Sequence, residues 1–164
     1  VIKMFDKESI KQMIVSIIEA VDEKPIDTKN VLSTDTADRD SMFQLFSRII
    51  CAKELAHLNH LNAQSGGEHL MLEKIYETLD EMIDEFGEVY FMSRNITIPN
   101  PLENAEEYAE GNLEDKLTDI LDLSQQICNA KEVSEGTKSL VSDCMKDVER
   151  CLGFLRQANY DKNN

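Results

Sequence analysis

Residues 57–90, HLNHLNAQSGGEHLMLEKIYETLDEMIDEFGEVY, decide how the rest of the chain is read. In the second part of this stretch Leu72, Ile75, Leu79, Met82, Ile83 and Phe86 recur every three or four residues, the spacing of one helix face. A helix is expected over about 68–90, which at 1.5 Å per residue is about 35 Å long. Gly66 and Gly67 mark a break before it. Upstream of that break, Met42, Phe46, Ile49, Ile50, Ala56, His57 and His60 share a face, which predicts a helix over about 38–64 with Asp38 or Asp40 as its cap.

Working outward, two more apolar stripes follow. One is Leu113, Leu117, Ile120, Leu121 and Ile127 over 112–129. The other is Leu140, Val141, Cys144, Val148, Cys151, Leu152 and Leu155 over 133–158. At the other end of the chain, Ile10, Met13, Ile14, Ile17, Ile18 and Val21 predict an appended helix over 6–22, followed by a linker over 23–36 that contains Pro25. All three prolines, Pro25, Pro99 and Pro101, fall between the periodic segments. The expectation is an all-α chain. Residues 1–36 form an N-terminal helix and linker, and 37–164 form a four-helix bundle with one long crossover connection around Pro99, Pro101 and Gly111.

Composition narrows the partners. Thirty-two Asp and Glu against 17 Lys and Arg give a formal charge of −15, with 41% hydrophobic residues, six Gly and no Trp. Such a charge opposes phosphate backbones, whose affinity for proteins comes mainly from clustered Lys and Arg, so nucleic acid is disfavoured as a ligand. No apolar run approaches the ~20 residues needed to span a bilayer. The four cysteines, Cys51, Cys128, Cys144 and Cys151, form no Cys-x-x-Cys pair, and Cys144 and Cys151 lie on the apolar face of the last helix. They read as small core residues in a reducing, cytoplasmic compartment. No secretory signal precedes the first helix, and the chain starts at Val1 rather than Met.

All three histidines fall within thirteen residues, at His57, His60 and His69. His57 and His60 lie on the inward arc of their helix, while His69, Glu73, Asp80, Asp84 and Glu88 form a polar arc beside the apolar stripe of the next. Imidazole nitrogen with carboxylate oxygen is a ligand set that iron and manganese accept. The competing reading is structural. Glu77, Glu81 and Glu85 show the same four-residue spacing without any claim to function, and a buried histidine commonly serves a polar network.

The intervals of His57, His69, Glu73, Asp84 and Glu88 resemble the ferroxidase pattern of the Dps miniferritins, within the ferritin-like superfamily. His57-Leu58-Asn59 stands where that family has His-Trp-Asn, and Glu73 stands where it has Asp. His60-Leu61-Asn62 copies the motif equally well, so the first ligand is either His57 or His60. That shorter version, continuing through His69, Tyr76, Asp80, Asp84 and Glu88, also resembles a ferritin-like family encoded by tailed bacteriophages. The departures are the missing Trp, Val89 in place of the customary Arg after Glu88, the lack of a basic tail, and Lys53, which lies one turn before His57 and would repel a cation.

The resemblance implies a ferritin-like bundle that binds Fe(II) at a mono-iron or di-iron site, with Mn or Zn as substitutes. It further implies an assembly of at least a dimer, up to a cage, because the histidines and Glu73 would come from one subunit and Asp84 and Glu88 from its mate. Spacing agrees: the eleven residues from Glu73 to Asp84 cover about 16 Å of helix, too far for one ion. Iron oxidation by dioxygen or peroxide and storage inside an acidic cage would follow. The alternative expectation is a non-enzymatic phage virion or assembly protein that keeps the bundle and a degenerate metal site, docking on other phage structural proteins.

Overall fold

In a computed structural model the described residues are 28–98 and 111–162, with side chains from 38 onward and up to 160. The chain divides into two units, Val1–Asp35 and Thr36–Asn164, and the hydrophobic core lies in the second. Four long helices carry it: α1 (Thr28–Leu61), α2 (Gly66–Glu85), α3 (Leu113–Asn129) and α4 (Glu135–Lys162). No strand occurs among the described residues. The expected helix over 6–22 lies outside them.

Two boundaries differ from the sequence reading. Helix α1 starts at Thr28, within the expected linker, so Asp38 and Asp40 are interior residues rather than caps. Pro25 is the last helix breaker before Gly66, and nothing in between stops a helix from extending back. The first bend is also displaced: the chain turns at Asn62–Ser65, and Gly66 and Gly67 are the opening residues of α2. Ser65 explains this, because its hydroxyl accepts the Glu68 amide (3.1 Å) and so caps the helix one residue before the glycines.

Helix α2 does not end cleanly. It widens into a π-helical turn over Phe86–Phe91 and tightens into a 3₁₀ turn over Met92–Arg94. Phe86, Tyr90 and Phe91 are all buried, a set that a regular helix would spread over about 140° of its circumference. The widened turn brings Phe91 against Phe43 (stacked, 5.3 Å between centroids) and Phe46 (edge-on, 5.1 Å). Asn95 stops the helix in the left-handed region (φ 53°), with Asn95 N–H donating to Met92 O and Ile96 N–H to Phe91 O, the pattern of a Schellman cap.

Helices α3 and α4 have clear starts. A reciprocal capping box joins Asn112 and Asp115. Gly111 before it has φ +100°, and a Cβ there would sit 3.4 Å from Asp115 Oδ2. Ser134 accepts the Thr137 amide at the head of α4.

Contacts between elements fix their directions. Lys74 lies over the Phe154 ring while Arg94 donates to Thr137, so α2 and α4 are antiparallel. Cys128 contacts Ser142 and Ser124 contacts Cys144, so α3 and α4 are antiparallel too. Phe43 meets Phe91 and His60 meets His69, which makes α1 antiparallel to α2. Arg48 Nη1 donates to Asp119 O, tying α1 to α3. The result is a helical bundle in which α2 and α3 run in the same direction, so the chain between Asn95 and Asn112 joins opposite ends of the bundle. Its core is built from Leu45, Ile49, Ala52 and Ala56 of α1, Ile75 and Leu79 of α2, Leu117 and Ile120 of α3, and Val141 and Val148 of α4. On α1 the stripe is rotated from the expected one: Leu45 and Ala52 are buried, whereas Ile50 and His57 are half-buried.

Candidate functional site

The histidines gather where α1 turns into α2. His60, in the last turn of α1, is 7% exposed, and its ring stacks on that of His69 at 3.8 Å between centroids. The two residues exchange hydrogen bonds: His60 Nδ1 meets His69 O at 3.1 Å, and His69 Nδ1 meets His60 O at 3.2 Å. A carbonyl oxygen only accepts, so each Nδ1 carries a proton, and in the neutral imidazole the lone pair is then on Nε2. Neither Nε2 makes a hydrogen bond among the described residues. Backbone bonds of this kind at one ring nitrogen are what orients metal-ligating histidines through the other.

Tyr76 closes the cluster. Its ring lies 4.9 Å from that of His57 and 5.2 Å, edge-on, from that of His60. His57 is half-buried and lies 6.2 Å from His60 between centroids, so the bonded pair is His60 with His69, and His57 packs on the tyrosine. The local chain is braced further by Glu68, which is buried and accepts the Gln64 amide at 2.7 Å.

The carboxylates are arranged differently. Glu73 is half-buried one turn beyond His69, and Asp84 and Glu88 are exposed near the far end of α2. Among the described residues, none of the three has a hydrogen bond or ion pair with its side chain. Among the described residues of one chain, no three of His, Cys, Asp and Glu come together closely enough to hold an ion. The structure therefore assembles the histidine half of the expected constellation and leaves Asp84 and Glu88 remote from it.

Lys53 is neutralised. Its ammonium lies 3.0 Å from Glu54 and 3.4 Å from Asp80 across the α1–α2 groove. The hydrogen bond to Glu54, with Asp80 adding to it, holds the amine above the ordinary lysine range. Asp80, expected on the ligand arc, is thus the counter-ion of Lys53. A separate recess of about 210 Å³ opens nearby, lined by Asn59, Asn62, Glu68, Leu72, Leu155, Ala158 and Asn159, and it contains none of the histidines.

The sequence reading named Tyr76 in the phage-type pattern but missed its packing on His57 and His60, and it missed Glu68 as a buried brace. The Ser65-x-x-Glu68 spacing was the available signal for Glu68, since it is that of a capping box, although here Glu68 reaches Gln64 rather than Ser65. Nothing local to His60 or His69 announces their mutual backbone bonds.

A family model covers residues 60–157, more than half of the chain: a family of unknown function, DUF5856. The chain belongs to the DUF5856 family. Neither the curated proteins nor the solved structures contain a match to it. The DUF5856 match begins at His60, so His60, His69, Glu73, Asp84 and Glu88 lie inside it and His57 lies outside.

Proposed function

We propose that this chain is a ferritin-like, Dps-type protein that takes Fe(II) as substrate at a site completed by a second copy of itself. One observation carries the reading. His60 and His69 are held by backbone carbonyls as Nδ1–H tautomers, so two neighbouring imidazoles keep Nε2 free as ligands. Glu73 follows one turn later on the same helix, and Asp84 and Glu88 supply unpartnered carboxylates from the opposite end. Nitrogen and oxygen donors together suit Fe(II), and also Mn and Zn. The compensated charge of Lys53 removes the main electrostatic objection to a cation. The parallel course of α2 and α3 supports a ferritin-like connection, since it requires a long crossover between the second and third bundle helices.

In this reading the residues bind and orient Fe(II), and its electron passes to dioxygen or peroxide as Fe(III) forms. Storage in a cage and a cytoplasmic setting belong to the same proposal. Fe(II) added anaerobically and then exposed to air should show saturable oxidation faster than in buffer. Replacing both His69 and Glu73 by alanine should abolish tight binding while leaving the helices intact. An absorbance rise no faster than the buffer blank would overturn the reading.

A second reading has its own observation. The stacked His60–His69 pair, with Tyr76 edge-on against His60, also works as a clamp that fixes the α1–α2 hairpin, as a non-enzymatic assembly or virion protein would need. Unchanged iron affinity in the double variant, accompanied by lowered stability, would favour that reading.

A further inference from the structure

We propose that the recess beside Glu68 is a binding site for a primary alkylammonium group, of the kind carried by aliphatic amines and by lysine side chains. It contains none of the histidines and is independent of the iron reading.

Three helix ends build the recess. Asn59 and Asn62 come from the end of α1, Glu68 and Leu72 from the first turns of α2, and Leu155 and Ala158 from the last turns of α4. The antiparallel pairings of α2 with α1 and with α4 bring these three ends together. The volume is about 210 Å³, below the roughly 300 Å³ at which pockets for drug-sized ligands begin, so the occupant is a small molecule or a single side chain.

The polar wall is rich in acceptors and carries one negative charge. Glu68 is 9% exposed, and although its Oε2 takes the Gln64 amide, a carboxylate offers about four lone-pair positions. Asn62 donates its Nδ2 to Leu58 O at 2.8 Å, so Oδ1 is the atom it can offer to a ligand. The side chain of Asn59 makes no hydrogen bond among the described residues and adds a second amide oxygen. Asn159 brings a further amide from α4, and no Lys, Arg or His lines the recess. The rest of the wall is apolar, made by the buried Leu72, Leu155 and Ala158.

Each feature selects among ligands. Glu68 and the formal charge of −15 repel anions and concentrate cations. A bare metal ion gains nothing from the leucines, and a neutral alcohol gains no charge-assisted hydrogen bond. A primary ammonium has three N–H donors and one positive charge, which match Glu68 and the two amide oxygens in number and sign, while its methylene stem suits the apolar wall.

The test uses n-butylammonium as the probe and the amide NMR signals of the full chain as the readout. The expected result is a saturable shift confined to residues around Asn59, Glu68 and Asn159. Butanol and butyrate should leave these signals unmoved, as should Mg(II) at equal ionic strength, which reports attraction to the acidic surface alone. Glu68→Gln should weaken binding by about tenfold or more, the loss expected when a hydrogen bond to a charged group becomes neutral. Because Glu68 also holds the Gln64 amide, Asn59→Leu is a second variant: the half-buried, unbonded side chain is replaced by one that blocks the recess, which should abolish the shift and leave the helical circular dichroism unchanged. Tighter binding of putrescine than of Nα-acetyl-lysine amide assigns the site to free amines, and the reverse order assigns it to a lysine side chain. The proposal is overturned by the absence of a saturable shift, by shifts that Mg(II) reproduces, or by shifts that persist unchanged in Asn59→Leu.

Discussion

The two ends of α2 carry the same kinds of side chain in opposite states. At its start, His69 is stacked on His60 and bonded through the backbone, and Tyr76 lies edge-on against His60. At its end, Asp84 and Glu88 extend into solvent without a partner, although the buried aromatics of the π turn anchor the backbone beside them. The start spends its polar groups on holding the hairpin together, and the end leaves them free. A side chain already ordered by its own chain loses little entropy when it takes a ligand, whereas a solvated carboxylate must be ordered at the time of binding. Stability and ligand binding should therefore separate along this one helix, with stability concentrated at the histidine end.

The strongest way to break the comparison is His60→Ala. It removes a ring that is 7% exposed, deletes one backbone bond and strips His69 of its stacking partner. Cavity and hydrogen-bond losses together should cost about 2–4 kcal/mol, read from urea unfolding. A loss of less than about 0.5 kcal/mol, the range of ordinary surface changes, would mean that the histidine end is no more ordered than the acidic end.

Alkaline pH tests whether the packing beneath α2 is alike at both ends. Cys151 of α4 lies under Ile75 at the histidine end, and Cys144 senses Glu85 toward the acidic end. Burial pushes both thiols from 9.0 up to about 12. The sign follows from linkage: in the unfolded chain the thiols ionise near 9.0, while the folded chain keeps them protonated, so stability is intact below that pH and declines between 9.0 and about 12. Each thiol should contribute a slope of up to about 1.4 kcal/mol per pH unit. Thermal melts from pH 8 to 11 should fall in Tm, and Cys144→Ala and Cys151→Ala should each flatten the slope by a similar amount.

Ser65→Ala probes the turn alone. Loss of the cap on the Glu68 amide should cost about 1 kcal/mol. Amide exchange should rise at the first turn of α2 and stay unchanged over the π turn near Glu88.

Much of the helix content was legible in sequence because apolar stripes report burial directly. The run from Leu113 to Ile127 predicted α3 to within a residue of its observed bounds. Boundaries governed by one polar side chain were less legible: Gly66 and Gly67 looked like the break, but Ser65 sets it. The rotation of the buried stripe of α1 onto Leu45 and Ala52 depends on what α1 packs against, which periodicity alone does not resolve. At the site, the clustering of His57, His60 and His69 was visible. The bonds between His60 and His69 were not, because they use main-chain carbonyls, which every residue possesses. The role of Asp80 was hidden similarly: its ion pair with Lys53 joins residues twenty-seven positions apart on different helices.

The smallest expected effect on stability is the most informative about function. Asp84→Asn with Glu88→Gln removes two charges from an exposed end where neither carboxylate has a partner and Glu81 and Glu85 lie close by in sequence. Exposed substitutions away from caps and cores usually change stability by less than about 0.5 kcal/mol. Relief of like-charge repulsion should make this change slightly stabilising, because i,i+4 pairs of like charge cost about 0.2–0.5 kcal/mol. Urea unfolding should therefore give a midpoint equal to or just above that of the parent chain, while Fe(II) oxidation falls to the buffer rate. A destabilisation above about 1 kcal/mol would instead place a buried or bonded role on these acids, and the contrast between an ordered and a free end of α2 would fail.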